Sequence, residues 1–508
     1  MHRSRGRRSS RKEVQGGAWS RFKNDLRDVR DRYGKQTSGA HKRFVLLLLV
    51  VGVGLRIWQA FLPITPTEAV AYVDYALRPI NMTLSDYSHP INHVFHSVLT
   101  KWSTGIFGVS LITLRLPALL ASVLVLPLFY LFVRSMFNRY IALLTLALLC
   151  ASPCLIELGS LAHGYSMAWL CMVLALLLGR HLVRENNAIS AIFLGLVLAF
   201  GMWAVPSSIT AAMLVFFWVL FSILTKYDRS LGERLGVLGL GLLVFLATTV
   251  LLYLPVIMVH GIDQLFNHVT EDEHSWKAFS LGYPDDVLAL WVWIIDPSSW
   301  WAAVLGFAGM VQAAYISAKY RTLIIAMLVA AVPFVLVLCN AGTPWQWGYA
   351  LFFFHLGMAI GIFYLLKFIQ DKIITGFGKR TRTAWSAMVL LVAFAVPGIA
   401  GIQDRANRVP EAEACVDYLT ATMVKGDAIC VDPYWRAMVT FQLLAAGRDP
   451  AALQGPPTAG HRLYSILEPT GSTVAEVHMH CKEPLDQYGT LVHVKDWERM
   501  EIFAAPMR

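Results

Sequence analysis

The sequence predicts a polytopic α-helical membrane protein with a small external α/β domain at its C-terminal end, and three observations lead there. Of 508 residues, 56% are hydrophobic and only 15% charged, where a soluble globular chain has about 25% charged; mean hydropathy is +0.54. The apolar residues fall into runs long enough to cross a bilayer, which takes about 20 residues as a helix. The Lys and Arg residues between those runs occupy alternate connections, the arrangement that keeps basic loops on the cytoplasmic side. A cytosolic enzyme and a disordered regulator are thereby excluded. The formal charge of +10 reports topology rather than a nucleic-acid surface, because the basic residues crowd into the first 43 positions and the short loops.

Residues 1–43 are rich in Arg, Lys, Ser and Gly and predict a disordered cytoplasmic tail that touches anionic lipid. The run from Phe44 to Pro63 is too long, and its basic leader too extended, for a cleaved signal peptide, so it stays as the first span. Eleven spans are expected, beginning near 44, 113, 140, 165, 188, 208, 235, 300, 321, 345 and 384. The pair between 188 and 225 is interrupted at Trp203–Ser208. Arg134 and Arg139, Arg180 and Arg184, Lys226, Arg229 and Arg234, Lys319 and Arg321, and the group from Lys367 to Arg382 all fall on one side of this count. A transmembrane module over 44–402 results, with the N-terminus inside and residues 403–508 outside.

Two external connections, 64–112 and 260–299, are much longer than the others, and long loops usually carry function. His89 to Phe107 reads as a helix lying along the membrane surface. With the C-terminal segment, these loops are placed to roof a cavity at the outer leaflet. Beyond residue 403 the apolar runs shrink. Helices are expected at 414–423 and 435–446, and strands at 428–431, 463–467, 474–478, 491–494 and 501–504; roughly 100 residues suffice for one core. Of the seven cysteines only Cys415, Cys430 and Cys481 lie outside the apolar spans, so at most one disulfide is expected there. No internal repeat of the transporter kind is present.

Chemistry concentrates just after the first span. In Pro63-Ile64-Thr65-Pro66-Thr67-Glu68 an acid stands at the outer edge of the hydrocarbon, where partial desolvation raises basicity and suits a general base; the rival reading is an acid in a helix first turn. Downstream, Pro90 suits the first turn of a helix, and His93 follows His89 by four residues, close to the spacing that shares a helix face. With Glu68 these histidines have the donor types for a divalent metal or a phosphate; the rival is interfacial hydrogen bonding. Arg56, Lys101 and Arg115 lie on the outer side or in the outer half of a span. Arg115 is the expected phosphate clamp because a guanidinium binds phosphate bidentately, with snorkelling as the alternative. Glu271-Asp272-Glu273-His274 and Asp285-Asp286 read as a solvated acidic face.

From Arg56 to about Leu177 the chain resembles the dolichyl-phosphate-mannose protein mannosyltransferase-like branch (family 39) of the GT-C glycosyltransferases, which includes the bacterial aminoarabinose transferase. The matching pieces are the Glu68-Ala69 pair after the first span, Tyr87 with His89-Pro90, and Asn92-His93-Val94-Phe95-His96. Phe107-Gly108-Val109-Ser110, Leu114-Arg115-Leu116-Pro117, Ala151-Ser152-Pro153 and Ala162-His163-Gly164-Tyr165-Ser166 follow in order. Two positions depart from the pattern: the family usually has Asp where Thr67 stands, and often Arg where His163 stands.

The resemblance implies a GT-C fold and an inverting hexosyl- or pentosyltransferase. It would move sugar from a polyprenyl-phosphate donor to a glycan, lipid or protein acceptor on the periplasmic face of the bacterial inner membrane. Glu68, His89 and His93 are then the catalytic candidates and also the candidates for a divalent metal. Arg56, Tyr72, Tyr87, Lys101, Arg115, His163 and Tyr165 are those for binding substrate. Expected partners are the donor lipid, the acceptor and the bilayer, with no nucleic acid. A flippase for lipid-linked saccharide and a noncatalytic assembly subunit are the two alternatives.

Overall fold

The structure, a computed structural model, describes residues 17–225, 230–263, 276–295, 300–338, 343–372, 384–393, 407–453, 455–469 and 471–507. Helices stand at all eleven places where spans are expected: α2 (Gly39–Ala60), α6 (Leu111–Met136), the pair α7 (Arg139–Ala151) and α8 (Pro153–Ser160), α9 (Tyr165–Glu185), α10 (Ala188–Ala204), α11 (Ile209–Leu224), α12 (Leu231–His260), α14 (Trp300–Ile316), α15 (Ala318–Leu338), α16 (Ala350–Lys372) and α17 (Ala384–Ala393). Among the described residues, six helices meet the length and hydropathy of a membrane span, or seven with α7 and α8 taken as one. That pair bends by 61° at Ser152, which the following Pro153 holds in an extended conformation (φ −65°, ψ 114°). The break at 203–208 is a 3₁₀ turn at Pro206–Ser208.

The bundle core lies around α7, where every residue from Ile141 to Ala151 is buried; a helix apolar on all sides belongs in an interior. Phe129 and Phe132 of α6, Trp218 of α11 and Phe352 of α16 pack around it. The periphery is apolar as well: Leu243, Leu251 and Met258 of α12 are exposed, as a lipid-facing surface requires.

Two expectations change in this part of the chain. The tail is helical over α1 (Ala18–Gln36). Phe22 stacks on Trp19 and on Phe193 of α10 at centroid distances of 5.7 and 6.1 Å, and Asp25 lies 3.4 Å from His181. The aromatic ridge of Trp19 and Phe22, hidden among basic residues in the sequence, is what docks it. Residues 1–16 lie outside the described residues. His89 and His93 do not share a helix face, because the surface helix begins only at Val94 (α5, Val94–Phe107) and His89–His93 form a turn before it. Asn92 braces that turn, donating to the Thr83 and Asp86 carbonyls and accepting from Ser97 Oγ. In the second long loop, Glu271–His274 lie outside the described residues, while Asp285 and Asp286 sit on a helix, α13 (Trp276–Ile295).

The C-terminal domain has a four-stranded sheet of order β1-β2-β4-β3, built from β1 (Ala428–Val431), β2 (Arg462–Leu467), β3 (Val492–Asp496) and β4 (Glu501–Pro506). β1 and β2 are parallel and the other pairings antiparallel. Helices α18 (Glu411–Thr422) and α19 (Pro433–Ala445) occur as expected, but 474–478 is helix rather than strand (α20, Val474–Cys481). Thr473 and Glu476 form a capping box there, which outweighs the β preference of its two valines.

Strand alternation divides the apolar residues between two faces. Cys430 and Leu463 pack with Val477, and Cys430 and Cys481 form a disulfide. Ile429, Tyr464 and Ile502 pack with Trp435 and Phe441, in one cluster with Ile64, Ala69 and Tyr72. The domain is therefore docked on the segment that follows the first span. The Val409 N–H donates to the Ile64 carbonyl at 3.1 Å, and Tyr72 meets Phe441 edge-on at 5.6 Å.

Candidate functional site

Thr65 starts a short helix, α3 (Pro66–Val70), with Pro66 at its first position. Its hydroxyl accepts the Glu68 N–H at 3.3 Å while Glu68 accepts the Thr65 N–H at 3.0 Å. This reciprocal cap turns the Glu68 side chain back into the protein, where it is fully buried. There it meets Arg115, also fully buried. Nε donates to Oε1 at 2.7 Å and Nη2 to Oε2 at 2.6 Å, the forked geometry of a strong charge-assisted pair.

The other N–H groups of Arg115 go to the carbonyls of Ala60, Leu62 and Pro63. They satisfy the acceptors that the end of α2 leaves open. The Ala162 N–H adds a 2.8 Å bond to Glu68 Oε1 and the Thr65 hydroxyl a 3.1 Å bond to Oε2. Burial alone would raise the Glu68 carboxyl, but the Arg115 charge and hydrogen bonds, with the Ala162 N–H, hold it at about 2. In this arrangement Glu68 is an ionised anchor rather than the desolvated, strengthened base expected from its position. Arg115 has all five N–H donors engaged, so its guanidinium is committed to Glu68 and the end of α2 rather than open to a phosphate.

Next to this pair lies a cluster of buried imidazoles. His93 stands at the N-cap position of α5 without a side-chain cap, and its Nδ1 instead accepts the Gly164 N–H at 3.1 Å. The contact requires glycine, since a Cβ at 164 would stand 2.2 Å from the Ala204 carbonyl oxygen and 2.8 Å from His93 Nδ1. The His93 ring lies 5.3 Å from that of His163 and 5.2 Å from that of Tyr165. His163 Nε2 is 3.2 Å from Thr67 Oγ, and its Nδ1 is buried without a partner among the described residues. Burial lowers all three histidines of the region: His93 well below its usual range, aided by His163 and His96; His96 to about 3; and His163, with Glu68 opposing and Arg115 assisting. They are neutral at pH 7.

The carboxylate determines the direction of the hydrogen bonds that lead to His163. Glu68 is ionised and accepts only, so the Thr65 hydroxyl spends its proton on Oε2. Thr67, whose Oγ is 3.2 Å from Thr65 Oγ, must then donate to Thr65. That leaves Thr67 Oγ to accept from His163, so Nε2 carries the imidazole proton and Nδ1 keeps its lone pair. A chain of two hydroxyls thus links the buried charge to the tautomer of a histidine 95 residues further along the chain.

Other expected site residues lie elsewhere. Arg56 binds Ser122 Oγ and the Gly52 and Leu149 carbonyls and so staples α2 to α6 and α7. Lys101 donates to the Ala76 and Arg78 carbonyls, closing the π-helical turn Ala71–Ala76. Tyr72 faces the C-terminal domain, and Tyr87 is buried with Val94, Tyr253 and Val256. His89 is exposed. Glu68, His89 and His93 therefore do not converge on a metal, and among the described residues no group of three His, Cys, Asp or Glu side chains has the arrangement to hold one.

Arg408 is the residue that sequence reading missed. It enters from the first turn of the C-terminal domain, donates through Nη1 to the Pro63 carbonyl at 2.7 Å, and leaves Nε and Nη2 buried without partners among the described residues. Burial, then Arg115, lower it to about 10, so it stays cationic. Nothing in its local sequence marks it, because its neighbours come from a segment more than 340 positions away.

Residues 88–253 match the sequence model of the family described as dolichyl-phosphate-mannose-protein mannosyltransferase. ArnT from Cupriavidus metallidurans superposes with a TM-score of 0.60 in its undecaprenyl phosphate-bound crystal structure and 0.59 in its apo structure. Identities are 14% and 13%, with 92% of this chain and 98% of that chain covered in both. The archaeal oligosaccharyltransferase AglB from Archaeoglobus fulgidus, in complex with an inhibitory peptide and a dolichol-phosphate, gives 0.47 at 12% identity over 91% of this chain and 74% of that one. No curated protein matches by sequence. The chain has the GT-C fold, with a small C-terminal sheet domain.

Proposed function

We propose that the protein is a membrane glycosyltransferase that moves a sugar from a polyprenyl-phosphate donor to an acceptor hydroxyl, with inversion at the anomeric carbon. Its site faces the periplasmic side of a bacterial inner membrane. The observation that carries the reading is Nδ1 of His163, buried without a partner among the described residues, on a neutral base whose tautomer is held by Glu68 through Thr65 and Thr67. The match to the mannosyltransferase family model supports the reaction class. The likeness to ArnT, which is seen bound to undecaprenyl phosphate, supports the donor class.

In the transfer step the acceptor oxygen forms a bond to the anomeric carbon as its proton passes to His163 Nδ1. The bond from that carbon to the phosphate oxygen breaks, and its electron pair stays on the polyprenyl phosphate. Glu68 stabilises the imidazolium through the hydroxyl chain, the role of an orienting carboxylate behind a histidine base. Arg408, with two nitrogens uncommitted among the described residues, meets the charge that grows on the leaving phosphate. The Cys430–Cys481 disulfide supports an oxidising compartment for the C-terminal domain. The basic residues beside α2, α6 and α9 support an inside N-terminus.

The test is transfer of radiolabelled sugar from polyprenyl phosphate by protein purified in detergent, where a transferase turns over and a flippase, which needs two compartments, shows nothing. The expected result is turnover that His163→Ala lowers by about a hundredfold or more. Unchanged turnover in His163→Ala removes the base assignment, and no turnover with any donor removes the enzyme.

A further inference from the structure

At the end of α2 and α6 remote from Glu68 there is a groove of about 310 Å³. α2 supplies His41, Lys42, Val45, Leu46 and Leu49 from one face, and α6 supplies Tyr130 and Arg134 one turn apart. Eighteen residues of α2 lead from Lys42 to Ala60, about 27 Å at 1.5 Å per residue, so the polar end of the groove stands close to a hydrocarbon thickness from the Arg115–Ala60 contact. It belongs to the opposite face of the membrane and to no part of the site above.

The groove is polar at one end and apolar at the other. Arg134 donates to the Thr37 hydroxyl and to Tyr130 Oη. Buried His41 shares a 2.9 Å hydrogen bond with the same Tyr130 oxygen. Lys42 stands exposed at the rim, and among the described residues no acidic side chain lines the groove. Further basic residues collect at this end: Arg180 donates to Ser135 Oγ and Lys319 to the Met136 carbonyl. Towards the membrane interior the walls become Val45, Leu46 and Leu49, with Leu46 62% exposed where only hydrocarbon can cover it.

We propose that this groove binds an anionic glycerophospholipid of the leaflet on that side, its phosphate between Lys42 and Arg134 and an acyl chain along Val45, Leu46 and Leu49. Charge selects the headgroup class, and the lateral apolar opening admits a lipid from the bilayer rather than a soluble phosphate. The bound lipid would tie α2 to α6 at the end opposite the Glu68–Arg115 pair, so the same two helices are fastened at both membrane faces. This inference does not depend on the proposed transfer reaction.

The test uses the full chain in nanodiscs of equal phosphatidylglycerol and phosphatidylcholine, with the retained lipid identified by native mass spectrometry after release into detergent. The wild type is expected to retain phosphatidylglycerol over phosphatidylcholine by about thirtyfold, the factor that two basic residues near a membrane surface contribute. Lys42→Ala should lower that ratio by about fivefold, and Leu46→Trp, which fills the apolar half and keeps both charges, should abolish retention. Equal retention of the two lipids by the wild type overturns the proposal. So does a Leu46→Trp protein that holds phosphatidylglycerol as the wild type does, since surface charge alone then accounts for it. Preferential retention of added undecaprenyl phosphate over phosphatidylglycerol overturns the lipid class.

Discussion

Thr67 and His163, 96 residues apart in the chain, share a 3.2 Å hydrogen bond, and they are the two positions at which the sequence departs from the pattern of the family that it resembles. Where the family that it resembles usually has an acid and often an arginine, this chain has a hydroxyl and an imidazole in contact, so a charged pair there would correspond to a neutral one here. Such an exchange is costly in halves. His163→Arg alone places a guanidinium near Arg115 with no new carboxylate, and Thr67→Asp alone places a second carboxylate beside Glu68. We expect each single variant to lower thermal stability and the double variant to recover part of the loss. A coupling of about 1–3 kcal/mol is expected for residues in direct contact, read as the departure from additivity of melting shifts in detergent. Additive shifts would show that the two positions are independent.

The Glu68–Arg115 pair makes a sharper demand. Both side chains are fully buried, so Glu68→Gln leaves a guanidinium uncompensated, a loss of about 3–5 kcal/mol in a buried pair. The same change removes the acceptor-only group that orients Thr65, Thr67 and His163. Glu68→Gln should therefore lower both the melting temperature and transfer, whereas His163→Asn should lower transfer with little change in melting. If Glu68→Gln melts like the wild type, the pair is not an anchor.

How far this could be read from the sequence depends on the range of the interactions involved. Helix positions were legible because hydropathy is a local sum, and helices stand at every expected start, although α10, α14 and α17 are shorter than a span requires. The α1 helix was not legible, since Trp19 and Phe22 acquire meaning only against Phe193. Glu68 and Arg115 were singled out, but by position and residue type, which report that a charge is unusual and not which partner neutralises it. His89 was drawn in by spacing; the turn stapled by Asn92 takes it out of helical register. Arg408 was missed altogether, because its role comes from the docking of the C-terminal domain on Pro63 and Ile64.

Acid should destabilise the protein in two steps. The folded state depresses His93, His96 and His163 below their ordinary value of 6.5. Below pH 6.5 the unfolded chain therefore binds protons that the folded one refuses, and stability falls as pH falls. Glu68 is held at about 2 against an ordinary 4.5; its contribution is complete above 4.5 and is lost as pH falls from there towards 2. Melting temperature should be flat above pH 7, decline below 6.5 and decline again below 4.5, with the first decline shallower in His96→Asn. A melting temperature that rises on acidification from pH 7 to pH 5.5 contradicts the buried neutral imidazoles.

Arg408 offers the clearest separation of a binding role from a structural one. Two of its guanidinium nitrogens are buried without partners among the described residues, and a buried group left unsatisfied costs free energy that an occupant of the site can recover. Its third nitrogen binds the Pro63 carbonyl, but the neighbouring Val409 N–H to Ile64 contact and the Tyr72–Phe441 packing hold the domain in place without it. Arg408→Gln should thus keep the domain docked and leave the melting temperature unchanged or slightly raised. Losing a hydrogen bond to a charged group, about 1.5–3 kcal/mol, should raise KM for the polyprenyl-phosphate donor by roughly tenfold to a hundredfold. Arg408→Lys, which keeps the charge but not the planar fork, should fall between. A drop in melting temperature with unchanged donor KM would assign Arg408 to domain docking, and the phosphate would then need another cation.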